Sequence, residues 1–230
     1  MTEKKGKNLP VSIEDQVAQM LAQQKGQLGA LPTNKIGLKD KKFHVPGRES
    51  NPGPLTVVVL DFVWALAHYP GVYNPANPQQ PNCVAIGRDK PESGLLAPHE
   101  ESAEPQAETC SQCPKNEWPK GGGGKPCKNQ RRLVVVPPDA TEDTEAMTLF
   151  VSPSSLKNFD AYVARLENEH GLHIAQVVTE ISFDPNVSYS KLVFKFGAKH
   201  DNLNLMWSKR EQAQDQLFRV IETGSSKQAA

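Results

Sequence analysis

The longest apolar run of the chain opens at Leu55 and continues Thr-Val-Val-Val-Leu-Asp-Phe-Val-Trp to about His68. Its β-branched and aromatic residues predict a long, central strand. Shorter runs of the same kind follow at Val84-Ala85-Ile86, Arg132 to Pro137 and Met147 to Val151, the last two separated by the acidic turn Pro138 to Glu145. A final pair, Ile174 to Phe183 and Tyr189 to Phe196, is linked by the short polar stretch Asp184–Ser188 and reads as a β-hairpin. Between these the period changes from two to 3.6: from Ser154 or Ser155 onward, Leu156, Phe159, Tyr162, Val163 and Leu166 share one helix face, and Gly171 stops the helix. A second amphipathic helix is predicted over roughly Ser208 to Ile221. A short one near the N-terminus would be capped by Ser12, with Val17, Met20 and Leu21 as its apolar positions.

The polar segments complete the layout. Pro32 to Pro54 reads as loop and short extended pieces, Tyr69 to Pro81 as a proline- and asparagine-rich loop, and Arg88 to Glu108 as an acidic, proline-punctuated insertion. The expected organisation is an N-terminal arm with a helix over 1–30, a β domain over 31–200 carrying an insertion at about 83–131, and a C-terminal helix with a polar tail over 201–230. Strands, an insertion, more strands, a helix and a closing hairpin match the order of the OB-fold, a five-stranded Greek-key barrel. The expectation is therefore a mainly β, OB-fold-like domain with flanking helices. Order alone does not give function.

The cysteines add chemistry to this layout. Cys110 and Cys113 form a C-x-x-C pair closed by Pro114, Cys127 follows a glycine-rich return, and Cys83 stands upstream. Two cysteines two residues apart can turn both sulfurs onto one ion, and tetrahedral zinc takes four thiolates at about 2.3 Å. Cys83, Cys110, Cys113 and Cys127 are accordingly the candidate zinc ligands, with His99 as a substitute for the distant Cys83. An iron–sulfur cluster, disulfides and unrelated buried thiols are the competing readings.

Charge is balanced overall, 26 basic against 26 acidic residues, but unevenly distributed. Glu92 to Glu108 and Asp139 to Glu145 are acidic, whereas Lys115, Lys120, Lys125, Lys128, Arg131 and Arg132 face only Glu117 in their segment, a local positive patch. No apolar run approaches membrane-spanning length, and the charged N-terminus precedes no apolar core, so a soluble protein without a signal peptide is expected.

Pro81-Asn-Cys83, Cys110-Ser-Gln-Cys113-Pro114-Lys-Asn116-Glu-Trp118, Gly124-Lys-Pro-Cys127-Lys-Asn-Gln-Arg-Arg132-Leu133 and Val151-Ser-Pro-Ser-Ser-Leu-Lys157 together resemble a family of tailed-phage and prophage single-stranded DNA-binding proteins, over approximately residues 30–200. The resemblance implies an OB-type core, a role in protecting replication or recombination intermediates, and the cytoplasm of a host cell. Replication or recombination proteins would be partners; apart from the resemblance, the terminal helices are candidates for self-association, since cooperativity along a strand is common in single-strand binders. The ending Ser225–Ala230 departs from it, lacking the acidic tail through which many such proteins recruit partners.

Single-strand binding needs cations for phosphates and aromatic faces for bases. Beside the basic patch, Trp118, Tyr73 and Tyr189 are the candidate platforms, with Lys191 and Lys195 on the face of Tyr189; Trp64, Phe194 and Phe196 are expected in the core. Catalysis finds little support. Gly121 to Gly124 with Lys125 is no phosphate loop, since Pro126 follows the lysine, and the zinc-deaminase pattern is absent. A nuclease would need Asp61 and Asp184 brought together. A zinc-knuckle adaptor binding a protein partner is the alternative to DNA binding.

Overall fold

The computed structural model describes Ile13, residues 34–71 and residues 79–220. The predicted N-terminal arm, Tyr73 and the polar tail beyond residue 220 lie outside the described residues. The protein is mainly β, built on one curled half-barrel sheet. Its strands are β1 (Lys35–Lys39), β2 (Lys42–His44), β3 (Leu55–His68), β4 (Cys83–Gly87), β5 (Cys127–Val136), β6 (Met147–Val151), β7 (Val177–Phe183) and β8 (Leu192–Lys199). Helix α1 (Leu156–His170) follows β6; α2 (Leu203–Gln212) and α3 (Gln214–Phe218) follow β8.

Strand β3 organises the sheet. One edge pairs with β5 from Val58 to His68, while the other is shared, Leu55–Val58 with β7 and Trp64–His68 with β4. The order is β2-β1-β6-β5-β3-β7-β8 with β4 beside β3, antiparallel throughout except for the short β1–β6 pairing. The segment expected as loop holds the β1–β2 hairpin, whose two-residue turn, Asp40-Lys41, has both residues at positive φ. This is the twist-matched hairpin turn that aspartate tolerates well.

A β-bulge in β3 decides which face each later residue serves. Val59 pairs with Val135 but Asp61 with Val134, so Leu60 is extra. Before it Val57 and Val59 face α1; after it Phe62 returns to that side and meets Phe159 edge-on at 5.0 Å. Phe159, Tyr162 and Leu166, the predicted stripe of α1, close this core, and the Tyr162 hydroxyl is satisfied by Thr179 at 2.7 Å. Phe194 is buried as predicted. Phe196 is not core: it is 39 % exposed and stacks on His170, the last residue of α1, where the helix no longer covers the sheet.

On the opposite face Val58, Leu60, Val63, Val134 and Val136 are covered by Met206, Ala213 and Leu217 of the C-terminal helices. Lys209 ties α2 to the acidic turn by donating to the Glu142 and Thr144 carbonyls. These helices cover only part of that face. Beyond Val63 the same side of β3 and β5 borders an open groove.

Candidate functional site

The alternation of β5 sets two sites back to back. Cys127, Asn129 and Arg131 point to one side of the sheet, Lys128, Gln130 and Arg132 to the other. On the first side, Cys83 of β4 and Cys127 of β5 both lie opposite His68 of β3, on one rung across three strands. Over them folds a knuckle of two single-turn 3₁₀ helices, Cys110–Gln112 and Pro114–Asn116, braced by the Cys110 amide on the Leu96 carbonyl at 2.8 Å and by buried Asn116, which donates to the Cys110 carbonyl at 2.9 Å. All four cysteines are buried, unbridged, and line one small cavity of about 10 Å³ together with Leu66, His68, Pro98 and Asn116.

The thiols feel one another. Burial, then the proximity of Cys83 and Cys113, pushes the Cys110 thiol up to about 12; burial, then Cys110, Cys113 and Cys83, does the same for Cys127, against a small opposing pull from Lys125. Bringing thiolates into this cavity would require a cation. The sulfurs stand as separate thiols: among the described residues no three His, Cys, Asp or Glu side chains are arranged to hold a metal ion as they stand. His99 does not line the cavity; its ring accepts from the Glu101 amide in a neighbouring depression. His68 lines it instead, with Nδ1 2.9 Å from Asn82 Oδ1, and was not singled out by sequence because it closes an apolar strand.

The predicted DNA-binding residues divide. Trp118 is 71 % exposed at the tip of the knuckle, with the Lys125 ammonium 5.7 Å from its ring centre. Lys125 also reaches Asn116 Oδ1 at 3.5 Å and Glu92 at 3.8 Å. Lys115, Lys120, Lys128, Lys195 and Tyr189 are exposed. Lys191 is engaged by Asp184 at 3.0 Å, and Tyr189 precedes β8, so the two do not form the predicted strand face with Lys195.

Arg131 and Arg132 correct the sequence reading, which placed both on a DNA-binding surface. Both are buried. Arg131 lies 3.8 Å from the centre of Trp64, itself buried as expected, and reaches Asp160 of α1 at 3.2 Å. Arg132 donates to the carbonyls of Leu217 and Arg219 and sits 5.3 Å from the Phe150 ring centre. A run of basic residues entering a strand is indistinguishable by sequence from a surface patch.

On the second side of the sheet, beyond the C-terminal helices, Lys35, Ala65, Ala67, Tyr69, Gln130, Arg132 and Phe150 line a groove of about 120 Å³. Ala65 and Ala67 keep its floor low. The Lys35 ammonium lies 4.8 Å from the Phe150 ring centre, opposite Arg132, and the Lys128 ammonium 5.0 Å from the Tyr69 ring centre. Among the described residues, none of Lys35, Lys128 and Arg132 has a carboxylate at ion-pair distance. Burial pulls Arg132 down to about 10, and burial followed by the charge of Arg132 lowers Lys35. Lys35 is exposed as a residue, so its ammonium is desolvated chiefly where it lies against the ring. Uncompensated cations beside aromatic faces form an anion-seeking surface. Sequence reasoning missed Lys35, Phe150 and Gln130 because they sit on three different strands.

Asp61 and Asp184 have separate sets of partners. Asp61 binds Arg88, Arg210 and Gln214 at the β3 bulge, whereas Asp184 holds Lys191 and Asn186 in the β7–β8 turn. No helix among the described residues is long and apolar enough to cross a membrane. Compared with protein-family models, curated proteins and solved structures, the chain matches none.

Proposed function

We propose that this is a non-catalytic single-stranded DNA-binding protein that coats exposed strands in phage-type replication or recombination. The observation that carries the reading is the groove, where Lys35 and Lys128 stand beside Phe150 and Tyr69 with no carboxylate at ion-pair distance among the described residues. Phosphates would supply the missing counter-charge and bases would stack on the rings, each stack contributing about 1–3 kcal/mol. The curled sheet is read as an OB-like barrel, a fold whose strand faces carry oligonucleotides.

Zinc on Cys83, Cys110, Cys113 and Cys127 belongs to the same proposal. Four buried thiols crowding one cavity suit a divalent ion that lets them ionise, and four cysteine ligands close the coordination sphere, which fits a structural metal. Its role would be to hold the knuckle against β4 and β5.

The test is the anisotropy of labelled oligo-dT titrated over a salt series with duplex competitor, alongside elemental analysis of the same preparation. Expected are about one zinc per chain, lost in Cys110→Ser, and binding that duplex fails to displace, with a log–log salt slope of about −1.4 for two phosphate contacts. No binding at low salt, or equal competition by duplex, would remove the reading. The half-exposed Trp207 and Leu203, bordering an open depression with His173, would then favour the adaptor alternative, a surface for a protein partner.

A further inference from the structure

The groove and the knuckle lie on opposite faces of the sheet, yet β5 joins them end to end. Arg132, Gln130 and Lys128 succeed one another along the groove face at two-residue steps, which spaces them about 6.6 Å apart. Phe150 lies opposite Arg132 at one end, and Tyr69 beneath the Lys128 ammonium at the other. Three residues before Lys128 the chain reaches Lys125, whose ammonium stands over Trp118. Two pairings of a lysine with an aromatic ring are thus tethered by Lys125-Pro126-Cys127-Lys128, no more than about 10 Å of chain. Between them stands Cys127, one of the four thiols, at the end of the β3–β5 ladder opposite His68.

We infer that a bound single strand leaves the groove along β5, rounds the end of the β3–β5 ladder and continues onto Trp118, so that Lys128–Tyr69 and Lys125–Trp118 are successive stations of one path. This rests on the single-strand reading and deepens it. Trp118 is presented for such contact: its ring is mostly exposed at the tip of a knuckle whose base is buried. The glycines 121–124 beside it leave open space around the turn, where a Cβ would meet nothing within 4 Å. Gln130 lines the groove midway, where its side-chain amide can meet a base edge.

The path has a length. Arg132 to Lys128 covers about 13 Å, and Arg132 to Lys125 no more than about 23 Å. At the 3.4 Å phosphate spacing of a stacked strand these correspond to at most about four and about seven nucleotides, and an unstacked strand needs fewer. A four-nucleotide strand therefore fills the groove without requiring the knuckle, and a twelve-nucleotide strand engages both.

The experiment compares full-length wild type, Trp118→Ala and Phe150→Ala on labelled (dT)4 and (dT)12 at one low salt concentration. Trp118→Ala is expected to weaken (dT)12 by at least about fivefold, the smallest stacking contribution, while changing (dT)4 by less than twofold; Phe150→Ala should weaken both. Because Trp118 is exposed, its loss leaves the fold intact, and Lys35→Ala serves as a surface counterpart to Phe150→Ala. If Trp118→Ala leaves (dT)12 unchanged while the groove variants weaken it, the knuckle is off the path and the single-strand reading stands. Equal weakening of both lengths by Trp118→Ala would likewise overturn the two-station path. If wild type binds neither length, the single-strand reading falls and the path falls with it.

Discussion

Asp61 interrupts the most apolar strand of the protein, and the interruption is structural. The bulge at Leu60 places its carboxylate in the gap between β7 and β4, where β3 has no neighbour on that edge. There Arg88 grips both oxygens at 3.0 and 2.9 Å, Arg210 adds a contact at 2.9 Å, and Gln214 and the Phe62 amide complete the shell. Burial alone would raise the Asp61 pKa, but the hydrogen bonds from Arg88, Gln214 and the Phe62 amide, with the charge of Arg210, outweigh it and hold the pKa below the usual carboxylate range. A carboxylate whose folded pKa is depressed stabilises the protein above its unfolded value near 4, and the contribution disappears as pH falls through the folded value. Asp61→Asn should therefore cost about 2–3 kcal/mol at pH 7, below the cost of breaking a fully buried pair because Arg88 is half exposed. That corresponds to a Tm lower by about 6 °C, with the gap from wild type closing as pH is lowered from 5 to 2. A gap that stays constant across that range would show that the pair is not what the carboxylate contributes. Sequence could not assign Asp61 this role, because its side-chain partners lie 27 to 153 positions away.

Among the elements, β3 and β6 were legible to the residue, since an apolar β-branched run has one reading when bounded by turns. Strand β5 was not. It begins at Cys127, five residues before the predicted start at Arg132, because Lys128, Asn129, Gln130 and Arg131 look like loop until pairing with β3 gives their alternation a meaning. The same pairing separates thiol cavity from groove, which is why the cysteine set could be named from sequence while Lys35, Phe150 and the burial of Arg131 and Arg132 could not. The end of β4 shows how closely the knuckle is fitted. A Cβ on Gly87 would come within 2.7 Å of Leu96 Cδ1, and Leu96 is buried over Cys110, whose amide its carbonyl accepts. Gly87→Ala should cost about 1 kcal/mol by overpacking and speed the reaction of the thiols with a chromogenic disulfide. In a Leu96→Ala background the clash is gone, so the two costs should fail to add in a thermal-melt cycle. Strict additivity would mean that Leu96 is not what Gly87 accommodates.

At the scale of the whole molecule, equal numbers of acids and bases conceal a segregation that follows the fold. Cations with no carboxylate at ion-pair distance among the described residues gather along the groove, while the acids at 139–145 form the turn whose carbonyls receive Lys209. The C-terminal helices are the element that sequence placed least well, as an appendage following a domain that ends near residue 200. They are part of the core: Met206, Ala213 and Leu217 bury Val58, Leu60 and Val134, Arg210 and Gln214 serve Asp61, and the Leu217 and Arg219 carbonyls hold Arg132 at the groove. A chain stopped at residue 200 would expose that apolar face, leave Asp61 with Arg88 alone and strip Arg132 of its acceptors. Uncovering the face costs about as much as the total stability of a typical domain, since burying each large apolar side chain contributes about 1.5–3 kcal/mol and an unpaired buried guanidinium adds to the loss. A chain ending at residue 200 should therefore aggregate or lack a cooperative melt, whereas the full chain should melt cooperatively. A soluble chain ending at residue 200 with an unchanged Tm would return the helices to the status of an appendage and leave Arg132 free to turn toward a bound phosphate.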